Sequence, residues 1–100
     1  MKQIPLPEGL HNDTLAVRAA LERSQYGENS EALYLTSGYV QHSAASSAAR
    51  FAMEEEGFTY SRVSNPTVTS MEIRLAALEG TEAAIATSSG MSAILLLGMA

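Results

Sequence analysis

The chain has no cysteine and no tryptophan, a single lysine, Lys2, and a single aspartate, Asp13. Without cysteine there is neither a disulfide framework nor a thiolate metal site, and the composition suits a reducing compartment; a cytoplasmic location is the expectation. Positive charge is scarce. Six basic residues stand against 11 acidic ones, a formal net charge of −5, which argues against a nucleic-acid or acidic-membrane surface built on clustered Lys and Arg. Long apolar runs are lacking too. The stretch from Met91 to Ala100 is nearly all apolar but far short of the roughly 20 residues a bilayer span takes. The start, Met1-Lys2-Gln3-Ile4-Pro5-Leu6-Pro7, has no apolar core of signal-peptide length. The two histidines, His11 and His42, have no partner at ligand or relay spacing, so no metal site is expected and a surface or capping role suffices. Ser43, Ser46 and Ser47 have no base nearby in sequence, which leaves a nucleophilic serine unsupported.

What remains is globular in composition, 46% hydrophobic and 17% charged over 100 residues, enough for one small domain with a modest core. Residues 1–13 read as a Pro-containing arm. Asp13 or Thr14 can cap a helix from Leu15 to about Arg23. A loop over Ser24–Ser30 and a short extended run, Ala32–Thr36, follow. Ser43 opens an Ala-rich helix expected to reach about Glu56 and stop at Gly57, with Arg50 and Glu54 as an i,i+4 pair and Glu54-Glu55-Glu56 as its solvated end. Asn65-Pro66 starts the next helix, since Asn caps and Pro suits the first helical position. That helix carries Val68, Met71, Leu75 and Leu78 as an apolar stripe that needs a partner, and Gly80 ends it. A β-leaning run, Ala84–Thr87, then enters a turn of small residues, Ser88-Ser89-Gly90, and a last apolar helix. Helix, strand and helix in that order suggest the opening of an α/β domain.

Two places have the chemistry of an anion site. The first is the turn Thr87–Met91. A strand, a turn of small residues and a helix start point free backbone N–H groups outward, and the helix adds roughly half a positive charge there. Gly90 is expected to allow backbone dihedrals closed to other residues. Any strand-to-helix turn of an α/β protein shares this local pattern. The turn lacks both the Gly-Lys-Ser/Thr ending of a P-loop and the three-glycine dinucleotide fingerprint, which points to a phosphate on a smaller cofactor. The second is Tyr60-Ser61-Arg62. Read as extended, it puts a phenol and a guanidinium fork on one face, able to reach one phosphate; an exposed Arg beside a half-buried Tyr is the plainer alternative.

Three runs in fixed order, Tyr60-Ser61-Arg62-Val63-Ser64-Asn65-Pro66-Thr67, Leu75-Ala76-Ala77-Leu78-Glu79-Gly80 and Ser88-Ser89-Gly90-Met91-Ser92-Ala93-Ile94, resemble the cystathionine γ-synthase-like enzymes of cysteine and methionine metabolism. These use pyridoxal 5'-phosphate (PLP). Leu35–Val40, Ser43–Ala45 and Ala48–Phe51 look most like the O-succinylhomoserine sulfhydrylase branch, and the likeness runs from Thr14 onward. Val63 stands where relatives often carry an aromatic. The resemblance implies an α/β fold of fold type I, aspartate aminotransferase-like. Residues 1–60 would form an N-terminal arm with interface helices, and residues 61–100 the start of the PLP-binding large domain. It implies backbone N–H donation from Gly90 and Met91 to the cofactor phosphate. Tyr60 and Arg62 would give side-chain donors in the neighbouring subunit's site, so that identical subunits form dimers with composite sites, commonly within a tetramer. The implied activity is replacement of succinate by sulfide on O-succinylhomoserine, an amino-acid substrate, to give homocysteine. Cystathionine γ-synthase, O-acetylhomoserine sulfhydrylase and methionine γ-lyase are the alternatives.

PLP chemistry needs a lysine to hold the cofactor as a Schiff base, and usually an aspartate at the pyridinium nitrogen. Neither Lys2 nor Asp13 lies where the family motif would put it, and no ring-stacking aromatic follows the turn. No catalytic residue is therefore expected among these 100. The expectation is an N-terminal piece of a longer enzyme, a segment that gives interface and phosphate contacts and no catalysis by itself.

Overall fold

A computed structural model describes residues 6–100; Lys2 and the start of the arm lie outside the described residues. Four helices follow in order: α1 Asn12–Arg18, α2 Ala44–Phe51, α3 Pro66–Glu79 and α4 Gly90–Met99. Among the described residues the β pairing is one isolated antiparallel bridge, Gly38 with Tyr60. The chain divides into two compact units. Glu22–Thr69 forms the first, and residues 6–21 with Ser70–Ala100 form the second.

In the second unit, α1 is shorter than its apolar spacing suggests, and its cap is neither Asp13 nor Thr14. The His11 side chain accepts from the Asp13 N–H at 3.4 Å. The helix stops at Arg18 instead of Arg23 because Ala19 turns extended and Ala20 takes φ +61°. That left-handed step, uncommon for a residue with a Cβ, buries Ala19, Ala20 and Leu21 in succession. These three and Ala76 of α3 are the buried apolar residues among the described ones, and the Arg74 Nε donates to the Ala19 carbonyl at 2.8 Å. The stripe side of α3 differs: Val68, Met71 and Leu75 are exposed in this chain.

α3 begins and ends as the sequence predicts. The Asn65 Oδ1 accepts from the Thr67 N–H at 2.8 Å, with Pro66 as the first helical residue. At the other end Gly80 takes φ +65° and the Thr81 N–H reaches back to the Ala76 carbonyl at 3.0 Å, a Schellman closure that satisfies an orphan carbonyl. Ala84–Thr87 has no ladder partner among the described residues, nor does Ala32–Thr36 of the first unit; a strand is completed by a neighbour, which these runs do not meet here. The Ala86 N–H instead donates to the Glu72 Oε1 of α3 at 2.8 Å.

In the first unit, α2 is capped by Ser43, whose hydroxyl accepts from the Ser46 N–H at 3.0 Å. It ends at Phe51, five residues before the expected Glu56, because Met53 takes φ +61°. The N–H groups of Glu54 and Glu55 then both turn back to the Ala49 carbonyl. This tight reversal replaces the expected Arg50–Glu54 pair by Arg50–Glu55, Nε to Oε1 at 2.9 Å. Glu55 also accepts from the Ser46 hydroxyl at 2.8 Å, and the Arg50 Nη1 donates to the Gln41 Oε1 at 2.9 Å. Gly57, at φ +154°, lies so close over this guanidinium that a Cβ would come within 2.5 Å of the Arg50 Cζ.

Candidate cofactor phosphate site

The turn before α4 sets the geometry of the first element of the site. Ser89 is the N-cap, in extended backbone at φ −156°, and its hydroxyl accepts from the Ser92 N–H at 3.1 Å. The Ala93 N–H bonds the Ser89 carbonyl at 3.2 Å. Of the four orphan donors at this helix start, Ser89 to Ser92, that of Ser92 has a partner among the described residues, and the Gly90 and Met91 N–H groups, like that of Ser89, stand open. They project at the positive end of a ten-residue helix. The Ser89 and Ser92 hydroxyls lie 2.9 Å apart beside them, and the Thr87 hydroxyl donates to the Ser89 carbonyl at 2.8 Å, bracing the turn. Gly90 differs from expectation. It is helical and not among the glycines of positive φ. A Cβ there would meet nothing within 4 Å. The space beside its Cα is open at the start of α4. Two unpaired N–H groups, neighbouring hydroxyls and room for close approach are a donor set that fits a phosphate.

Tyr60 and Arg62 belong to the other unit. The two do not share one extended segment: Tyr60 is held in the bridge to Gly38, and Arg62 lies in the turn that follows. The Tyr60 carbonyl accepts from the Val63 N–H at 2.9 Å and from the Ser64 N–H at 3.1 Å, closing a turn. The expected face-sharing survives by another route: the Arg62 Cζ lies 5.4 Å from the centroid of the Tyr60 ring, within cation–π range. Both side chains are exposed. Behind them the turn is anchored on both sides of the Gly38–Tyr60 bridge. The Ser61 N–H donates to the Ser37 carbonyl at 2.8 Å, and the Tyr39 N–H to the Thr59 carbonyl at 3.3 Å.

Asn65 was legible in the sequence only as a helix cap. It is buried, and its Nδ2 faces the Tyr34 carbonyl at 3.0 Å, the Ser61 hydroxyl at 3.0 Å and the Tyr39 hydroxyl at 3.2 Å. Thr67 closes the same network by accepting from the Tyr34 N–H at 2.9 Å. The sequence signal was an Asn already committed as a cap yet lying in a run of small polar residues. Of the other sequence candidates, Asp13 is exposed and stands in the first turn of α1, and His42 is exposed. No group of three or more His, Asp or Glu residues among the described residues could hold a metal ion.

Each unit thus offers its own candidate anion-binding element, an open helix start in one and a Tyr–Arg donor pair in the other. The family model for Cys/Met metabolism PLP-dependent enzymes matches residues 13–100, and the chain belongs to that family. An O-succinylhomoserine sulfhydrylase of Pseudomonas aeruginosa is 60% identical over 92 residues, which cover 92% of this chain and 23% of that protein. An L-methionine gamma-lyase of Fusobacterium nucleatum is 47% identical over 81 residues, 81% of this chain and 20% of that protein. The crystal structure of a Campylobacter jejuni protein named O-acetylhomoserine (thiol)-lyase, with N'-pyridoxyl-lysine-5'-monophosphate at its position 205, superposes with a TM-score of 0.79. It is 35% identical, and the match covers 85% of this chain and 21% of that one. The chain thus spans about a fifth to a quarter of the length of these relatives, and it has the fold of part of a fold type I, α/β, PLP-dependent enzyme.

Proposed function

We propose that the intact protein is a PLP-dependent O-succinylhomoserine sulfhydrylase. It breaks the γ-carbon–oxygen bond to succinate and forms a carbon–sulfur bond from sulfide, giving homocysteine for methionine biosynthesis. The observation that carries the cofactor reading is the pair of open N–H groups, Gly90 and Met91, at the start of α4. They would hold the phosphate as backbone donors. Tyr60, through its hydroxyl, and Arg62, through its guanidinium, would reach the phosphate bound by a neighbouring identical subunit, in dimers with composite sites that pair into tetramers in the cytoplasm. PLP, when bound, supplies an electron sink for the amino-acid substrate. This chain's own residues anchor and orient the phosphate end, and the catalytic groups lie outside them.

The 60% identity to a sulfhydrylase named for the succinyl ester supports that leaving group. A methionine γ-lyase reading has the Fusobacterium relative in its favour. Cystathionine γ-synthase and O-acetylhomoserine sulfhydrylase are the remaining alternatives. One assay orders them. Full-length protein loaded with PLP is given O-succinylhomoserine or O-acetylhomoserine with sulfide or cysteine, and separately methionine alone. Homocysteine formed fastest from the succinyl ester and sulfide is the expected result. Cystathionine from cysteine, preference for the acetyl ester, or a 2-oxo acid from methionine would each select the corresponding alternative.

A further inference from the structure

We propose that Ser61 is a positioning residue for Tyr60 and Arg62, with Asn65 as the fixed post to which it is tied. The inference rests on the phosphate role given to that pair under the proposed function. Ser61 lies between the two and is half-buried while both flanking side chains are exposed. All of its hydrogen-bonding groups that can be seen to bond point inward. Its N–H donates to the Ser37 carbonyl at 2.8 Å, its hydroxyl donates to the Thr36 carbonyl, and the same oxygen accepts from the Asn65 Nδ2 at 3.0 Å. One hydroxyl proton and two lone pairs allow both side-chain bonds at once.

The anchor is itself rigidly held. Asn65 is buried, caps α3 through its Oδ1, and has its two amide protons facing three acceptors that include the Tyr34 carbonyl. The turn is closed by the Val63 and Ser64 N–H groups on the Tyr60 carbonyl, so fixing Ser61 leaves its neighbours few backbone conformations. Tyr60 and Arg62 then leave the surface together, stacked at 5.4 Å. An untied exposed tripeptide would lose that freedom only when it met its anion, and binding would be weaker by that entropy.

A plainer role, in which Ser61 merely stabilises the unit, predicts something else. Ser61→Ala leaves the cap of α3 intact, because the bond from the Thr67 N–H to the Asn65 Oδ1 does not involve it. The test is a cycle in the full-length protein: wild type, S61A, Y60F/R62A and the triple variant. Dissociation constants for PLP are measured on the apoprotein, the phosphorus-31 resonance of the bound phosphate is recorded, and thermal midpoints are taken. S61A is expected to raise the constant about fivefold, the range of one neutral hydrogen bond, and to shift the resonance. In the Y60F/R62A background it should add less than about twofold, since coupled residues are non-additive. An equal effect in both backgrounds would overturn the positioning role, as would a lowered thermal midpoint with unchanged affinity and resonance. If Y60F/R62A weakens PLP binding and S61A does not, only the positioning role falls. If Y60F/R62A binds PLP as tightly as wild type, the phosphate reading falls and this inference with it.

Discussion

Glu55 belongs by sequence to an acidic run with no assigned task, yet it is the carboxylate around which the end of α2 is folded. The Ser46 hydroxyl and then the Arg50 guanidinium hold its pKa below the ordinary glutamate value. A carboxylate with a lowered folded-state pKa contributes stability that is present above its unfolded pKa, about 4.3, and is lost as pH falls through the folded value. Glu55→Gln should therefore cost stability at neutral pH and flatten the acid limb of the unfolding curve below about pH 4.3. Denaturant midpoints of the full-length protein across that range check this. Parallel pH profiles for wild type and variant would show that the Ser46–Arg50–Glu55 contact contributes nothing.

At the scale of elements, what could be foreseen depended on whether the cause was local. Both ends of α3 rest on adjacent residues, Asn65-Pro66 at the start and Gly80 at the close, and both are where the sequence puts them. The ends of α1 and α2 depend on Ala20 and Met53 taking positive φ, and neither residue type advertises such a step. In the candidate site, the small-residue turn at 88–90 could be read directly. The Asn65 network could not, because its Tyr34 partner lies 31 residues away. Nor could the bond from the Ala86 N–H to Glu72, which stands in for a strand neighbour ahead of α4. That bond makes a prediction for the α3–turn connection. Glu72→Ala, leaving a half-buried N–H without an acceptor, should destabilise the full-length protein by about 1–3 kcal/mol. Glu72→Gln keeps an acceptor oxygen and should recover most of this loss. Urea titrations decide it, and a Gln variant as unstable as the Ala variant would assign the effect to the carboxylate charge instead.

At the scale of the whole molecule, α4 is an apolar helix left open among the described residues: Ile94, Leu95 and Leu97 are each more than three-fifths exposed. Alone in solution, the chain should self-associate as concentration rises, measurable by sedimentation. Mixed with PLP and dialysed, it should keep no cofactor absorbance, since its sole lysine is Lys2. Retention of a stable band would instead make this segment sufficient to hold PLP. The order of residues in the two units has a consequence for synthesis. The second unit is split in sequence, residues 6–21 waiting for Ser70–Ala100, and Arg74 reaches the Ala19 carbonyl across 55 positions. At ribosomal speeds of about 5–20 residues per second, the nascent α1 segment waits roughly 3–11 seconds for that arginine. The first unit, contiguous from Glu22 to Thr69, is synthesised in full within that interval, five residues ahead of Arg74. The segment carrying Tyr60 and Arg62 is therefore synthesised whole before the segment carrying Gly90 and Met91.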